Sequence, residues 1–300
     1  MVRRPLRPVI RPVLRLLLAL LTLLVLISCA HGRYISVPLL PVHTVQVDDV
    51  RLGYRMVGSG EPLLMVMGYA GTMDAWDSVF VARLAKTRRV ILFDNRNMGH
   101  SSTSDAPVTI ERMAWDALGL LDALGIKRAD VLGWSMGSII AQEMALARPD
   151  KVGKLVLYGT VFEPGPVLAA LDRFDSMTHE QLVASLFPAQ WAEQHPEVYA
   201  GLPSPALPPA PKAVARQREA LTLWPGTGDR LPGLPSDVLL LVGEDDSVTE
   251  ACQSVAMASL IRGAWLARFD GGGHWLMYQT PADMARLVET FLSTRQDLIN

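Results

Sequence analysis

The chain has 300 residues, half of them hydrophobic and 19% charged, with a formal net charge of -2. This composition excludes a disordered protein and suits one large catalytic domain carrying an insertion. Five arginines (Arg3, Arg4, Arg7, Arg11 and Arg15) fall in the first fifteen residues, well ahead of the first acidic residue, Asp48, so the rest of the chain is more acidic than the formal charge and gives no electrostatic basis for holding nucleic acid.

The first thirty residues read as an address. The arginine-rich start runs into an uncharged apolar stretch at residues 16–27. Its length fits the roughly 7–15 residues of a signal peptide's apolar region and falls short of the roughly 20 that a spanning helix needs. The ending Leu26-Ile27-Ser28-Cys29 resembles the lipobox of bacterial lipoproteins, which implies cleavage before Cys29 and a lipid on that cysteine. Residues 1–28 are then a signal peptide and residues 29–43, with Pro38 and Pro41, a lipidated tether. The protein is expected to be exported and anchored to a bacterial membrane. An uncleaved short anchor and an ordinary cleaved signal are the alternatives.

From residue 44 onward, short apolar runs alternate with longer amphipathic ones, the pattern of a mostly parallel sheet with helices on both faces. Residues 44–47 and 50–57, joined by Asp48-Asp49, are predicted as an antiparallel hairpin. Buried strands are predicted at 63–67, 90–93, 131–134, 155–158, 238–242 and 265–269, and helices at 76–84, 110–124, 138–147, 249–260 and 282–291. Strand 63–67 leads into Met67-Gly68-Tyr69-Ala70-Gly71, and strand 90–93 into Asp94-Asn95-Arg96-Asn97-Met98-Gly99-His100-Ser101.

Strand 131–134 runs into Gly133-Trp134-Ser135-Met136-Gly137 and then a helix. A strand-to-helix turn this tight leaves no room for side chains at the glycines and holds Ser135 in a strained conformation with its hydroxyl exposed to a cleft. The N-terminus of the following helix points its partial positive charge at the same place. Between 158 and 238 too many residues intervene for one crossover. They carry their own apolar set, including Leu168, Leu171, Phe174, Leu182, Leu186, Phe187, Trp191 and Trp224, which predicts a mostly helical cap. Its proline-rich middle, 201–211, cannot be helical and is expected to act as a hinge.

Strand 238–242 ends on Gly243-Glu244-Asp245-Asp246, three candidate acids. A serine nucleophile needs a base, and the base a carboxylate to orient it. Of the six histidines, His31 falls in the tether, His43 precedes the first strand, His179 and His195 lie in the cap and His100 in a loop. His274 remains, in Asp270-Gly-Gly-Gly-His274, directly after the last strand. Cys252 is expected to be a small packed side chain in a helix. No His-Glu-x-x-His or Cys-x-x-Cys run is present, so no metal is expected.

Taken in order, these motifs resemble the α/β-hydrolase superfamily over about residues 47–291, cap excluded. The resemblance implies an α/β-hydrolase fold with core 44–162 and 237–300 and cap 163–236. It makes Asp246, the aspartate of a Gly-x-x-Asp pattern, the acid of a Ser135–His274–Asp246 triad, ahead of Asp245. It also implies an oxyanion hole from the backbone amides of Met136 and Tyr69, and a structural role for the turn at 94–101. Two positions depart from the family: Met67 stands where histidine is usual, and Asn97 where glycine is usual. The function expected is hydrolysis of a carboxylic ester in a small hydrophobic substrate, with no cofactor and no protein partner. An acyltransferase or aminopeptidase of the same fold, or a noncatalytic binding lipoprotein, are the alternatives.

Overall fold

The computed structural model describes residues 35–234 and 237–294. The expected signal peptide and Cys29 lie outside the described residues. Eight strands are described: β1 (His43–Val47), β2 (Val50–Val57), β3 (Glu61–Val66), β4 (Arg88–Phe93), β5 (Ala129–Trp134), β6 (Val152–Tyr158), β7 (Val238–Gly243) and β8 (Trp265–Phe269). They form one sheet in the order β1-β2-β4-β3-β5-β6-β7-β8. The β1–β2 hairpin turns at Asp48-Asp49, with Asp48 at φ 45°, a left-handed conformation that aspartate tolerates. β2 pairs antiparallel with β4, and all remaining pairs are parallel.

The helices over the core are α1 (Ser78–Leu84), α2 (Ile110–Ala123) and α3 (Met136–Ala147). Side chains alternate between the two faces of a strand, so Leu64, Val66, Ile91, Phe93, Val131, Leu155 and Leu157 pack with the apolar stripes of α2 and α3 in one buried cluster. The intervening Leu63, Met65, Val90, Leu92, Leu132 and Val156 are equally buried on the other side. α2 starts where the Thr109 hydroxyl accepts the Arg112 amide, satisfying one of the free N–H groups of its first turn.

Between β6 and β7 the chain forms α4 (Pro164–Phe174), α5 (His179–Ser185), α6 (Ala189–Gln194), α7 (Pro196–Gly201) and α8 (Pro211–Leu223). The prolines keep residues 202–210 out of helix, and the Ala206 amide fastens this segment to Asp74 Oδ2 at 3.1 Å. Val167, Leu171, Leu221 and Trp224 from α4, α8 and the residue after it join the main core, while Ala170, Leu186, Phe187 and Val248 form a smaller cluster with Trp191, Trp275 and Tyr278. The chain continues through α9 (Ala251–Leu260), β8, α10 (Leu276–Gln279) and α11 (Pro281–Ser293), the last packed against α1.

Three details differ from expectation. Residues 37–40, assigned to the tether, are fastened to the fold: Val37 is fully buried and donates its amide to Ser78 Oγ, and the buried Arg55 donates to the carbonyls of Pro38 and Leu40. No local signal marks this packing, since it depends on an arginine fifteen or more residues away. β8 is not buried, because as the edge strand it alternates half-buried and exposed residues. Cys252 is exposed, near the start of α9. Among the described residues no helix is long and apolar enough to cross a membrane.

Candidate active site

Ser135 sits between β5 and α3 with φ 54° and ψ −125°, a backbone conformation that a non-glycine residue adopts only when its surroundings impose it. Here they do. A Cβ at Gly133 would lie 2.3 Å from the Gly137 carbonyl oxygen, and one at Gly137 would lie 2.0 Å from that of Val66, so both positions require glycine. The Ser135 amide donates to the Tyr158 carbonyl of the neighbouring strand at 2.9 Å, and the Ser135 carbonyl accepts from the hydroxyl of Ser138 at 2.6 Å.

The loop between β7 and α9 brings Asp246 under His274, with Asp246 Oδ2 2.9 Å from His274 Nδ1. Asp246 Oδ1 accepts the amides of Val248 and Thr249 at 2.8 and 2.9 Å, and Oδ2 accepts the Thr249 hydroxyl at 2.8 Å. Burial pushes its carboxyl pKa up, but the adjacent imidazole and these donors outweigh that, and the net shift is downward. An ionised carboxylate only accepts, so Nδ1 of His274 carries the proton and the lone pair is left on Nε2. Glu244 turns away to pair with Arg268, and Asp245 is exposed.

The backbone of His274 is held as firmly as its ring. Its carbonyl accepts the Trp134 indole N–H at 3.1 Å and the Tyr158 hydroxyl at 2.6 Å, and the Trp134 and His274 rings are 5.2 Å apart. Trp134 and Tyr158 are paired across β5 and β6. The strand that ends on the serine therefore grips the histidine loop directly. Among the described residues no hydrogen bond joins the Ser135 hydroxyl to the His274 ring, a contact that in such sites commonly tightens only when substrate is bound. Tyr158 and Thr249 were not picked out by sequence reasoning. Tyr158 carried a usable signal, a phenol at the C-terminal end of a buried strand, which needs a polar partner for its hydroxyl.

The loop 67–71 passes directly over the serine: a Cβ at Gly68 would lie 3.1 Å from Ser135 Cβ. Asn95 Nδ2 donates to the Met67 carbonyl at 3.2 Å, the Met73 amide to Asp94 Oδ1 at 2.7 Å, and the Ala70 amide to Gln217 Oε1 at 2.8 Å. The Tyr69 amide has no acceptor among the described residues. Met136, as the first residue of α3, has no intrahelical acceptor for its amide. These are the two donors expected at the oxyanion position.

The 94–101 turn is structural. Burial pushes the Asp94 carboxyl up to about 6, against the pull of the Met73 and His100 amides that it accepts. Arg96 does not reach Asp94; it is fully buried and bidentate on Asp116 at 2.6 and 2.7 Å. Asn97, where the family has glycine, takes φ 66° and accepts the Ser104 amide, a conformation asparagine tolerates. Among the described residues no group of three or more His, Cys, Asp or Glu side chains is gathered as metal ligands would be.

Residues 61–197 match a family model described as alpha/beta hydrolase fold. A 2-hydroxymuconate semialdehyde hydrolase of Pseudomonas sp. (strain CF600) is 30% identical over 268 residues, covering 81% of this chain and 91% of that protein. Among solved structures, a hydrolase from Pseudomonas aeruginosa PA01 superposes with a TM-score of 0.75 at 26% identity, covering 84% of this chain and 98% of that one. An enzyme described as degrading N-acyl homoserine lactone, Est816, superposes with a TM-score of 0.71 at 26% identity, covering 83% of this chain and all of that one.

Proposed function

Because the chain belongs to the alpha/beta hydrolase family and is an enzyme of that type, we propose that it cleaves carboxylic esters through an acyl-enzyme on Ser135. The observation that carries this reading is the hydrogen bond from His274 Nδ1 to Asp246, with the strained Ser135 on the strand that grips the same histidine. His274 Nε2 takes the hydroxyl proton as Ser135 Oγ adds to the ester carbonyl. The oxyanion is held by the amides of Tyr69 and Met136. The imidazolium, stabilised by ionised Asp246, then protonates the departing alcohol. Water, deprotonated by His274, releases the acid and restores the serine. The route needs no cofactor.

The β6–β7 insertion acts in this reading as a cap, and Phe187, Trp191 and Trp275, partnered in its small apolar cluster, favour a hydrophobic acyl or alcohol portion. Similarity to an enzyme described as degrading a lactone adds cyclic esters to the substrates worth trying. We further propose that Cys29 is lipidated and that the protein is exported and membrane-anchored. The lipobox-like Leu26-Ile27-Ser28-Cys29 behind an arginine-rich leader supports this.

A fluorophosphonate probe should label the wild-type protein and not Ser135→Ala, with hydrolysis of p-nitrophenyl esters lost in parallel. A folded wild-type protein inert to both would overturn the esterase reading. A panel of esters graded in chain length, with lactones included, then reads the pocket. Palmitate labelling should vanish in Cys29→Ala; labelling that persists removes the lipoprotein assignment.

A further inference from the structure

The peptide unit between Gly68 and Tyr69 carries an amide with no acceptor among the described residues, and it lies between two anchored points of its loop. On one side the Met67 carbonyl is held by Asn95; on the other the Ala70 amide is held by Gln217. Asn95 belongs to the sheet's own β4 loop. Gln217 belongs to α8, in the insertion, 147 residues further along the chain. Among the described residues it is the one hydrogen bond of this loop that comes from the insertion rather than from the core.

We propose that Gln217 is a positioning residue that fixes the oxyanion amide of Tyr69, so that the seating of α8 sets the rate of the chemical step. The inference rests on the serine-esterase reading and deepens it. Ala70 has φ 56°, in the left-handed region where a residue with a side chain stays only if something holds it. Ala70 is the third residue of a turn closed by the Gly71 amide on the Gly68 carbonyl at 3.3 Å, and the hydrogen bond at 2.8 Å from its own amide to Gln217 Oε1 is the side-chain bond that adds to that turn. Met67 offers the loop only a thioether, a weak acceptor, so the polar fastening comes from elsewhere.

Gln217 is equipped for the task. It is 1% exposed, so water does not compete for its acceptor oxygen, and its Nε2 is buried with no acceptor among the described residues. A side-chain amide placed so that half of it goes unpartnered is there for its other half. Its neighbours fix α8 on two sides. Arg216 Nη1 donates to the Ser104 carbonyl at 2.6 Å, and Arg218 Nη1 to Asp175 Oδ1 of the residue capping α4 at 2.8 Å. Three successive residues thus join α8 to the β4 loop, to the oxyanion loop and to α4. A shift of α8 moves the acceptor on which the oxyanion loop depends.

The test uses Gln217→Met, which keeps the volume and removes the acceptor, and Gln217→Glu, which keeps an acceptor. The substrate is p-nitrophenyl butyrate. The tetrahedral probe is butylboronic acid, which forms an oxyanion on Ser135, and the planar probe is butyrate. For Gln217→Met we expect kcat to fall about 10- to 100-fold with KM changed less than about twofold. Inhibition by butylboronic acid should weaken by a similar factor while inhibition by butyrate stays as in the wild type. Gln217→Glu should recover most of the boronic acid affinity.

Two outcomes overturn the proposal. One is a Gln217→Met enzyme with wild-type kcat and wild-type boronic acid affinity. The other is parallel weakening of both inhibitors with no recovery in Gln217→Glu, which describes a damaged pocket rather than a displaced donor. Should the methionine variant fail to fold, Gln217→Glu alone decides, and a selective loss of boronic acid affinity in it counts against the idea. Failure of the underlying reading is visible separately, in wild-type protein that takes no fluorophosphonate label.

Discussion

Replacing Arg96 by methionine tests the energetics of the turn that supports the site. The guanidinium is fully buried and Asp116 is 2% exposed, so methionine leaves the Asp116 carboxylate without its bidentate partner in a place water does not reach. Asp49 keeps Arg112 and Ser104 and is not orphaned. Breaking a buried pair from one side costs about 3–5 kcal/mol, a large share of a typical domain's roughly 5–15 kcal/mol. Burial already raises the Asp116 pKa against the pull of Arg96, and removing Arg96 raises it further. That direction sets the sign. A carboxyl whose folded pKa lies above its unfolded value stabilises the fold when protonated and loses that stability as pH rises through the folded pKa. The deficit of Arg96→Met should therefore be full near pH 8 and shrink as pH falls towards 5. Urea unfolding monitored by tryptophan fluorescence measures it at both values. Arg96→Met/Asp116→Leu, with no charge left in the core, should regain most of the loss. A deficit under about 1 kcal/mol at pH 8, or one that is the same at both pH values, would refute the reasoning.

Asp246→Asn should lower kcat by about four orders of magnitude with little change in fold, because the amide can donate to Nδ1 and so favours the wrong imidazole tautomer. Circular dichroism and ester turnover separate the two effects. Gly137→Ala should abolish soluble expression or cost more than about 4 kcal/mol, since its Cβ meets the Val66 carbonyl of a central strand at 2.0 Å and backbone there cannot yield. Soluble protein with a wild-type melting temperature would contradict the packing described. Asp94, with its carboxyl pushed up to about 6 from 3.8, should make the fold lose on the order of 3 kcal/mol as pH rises from about 4 to about 6. That loss should be absent from Asp94→Asn, so the stability difference between the two proteins should change across this window and not between pH 7 and 8.

The sheet was legible because its strands are continuous apolar runs, buried on both faces: Leu63, Leu64, Met65 and Val66, or Leu239, Leu240 and Leu241, have no other stable place. Ser135 was legible because glycines two residues either side of it, in a strand-to-helix turn, are a steric requirement written in local sequence. Asp246 was less so. Three adjacent carboxylates look alike until the fold aims one at His274 and gives it the amides of Val248 and Thr249. Gln217, Arg55 and Tyr158 escaped for one reason: each acts on a backbone atom far away in the chain, and no spacing records such a partner. Cys252 and β8 were read as buried because apolar composition resembles burial, while exposure at an edge depends on which strand comes last.

His274 comes after the outermost strand, yet Trp134 and Tyr158 hook its carbonyl onto two inner ones. Heat or denaturant that peels the half-exposed β8 away from its margin would leave His274 moored to the same strands that present Ser135, so the outer edge can be lost while these two residues stay together.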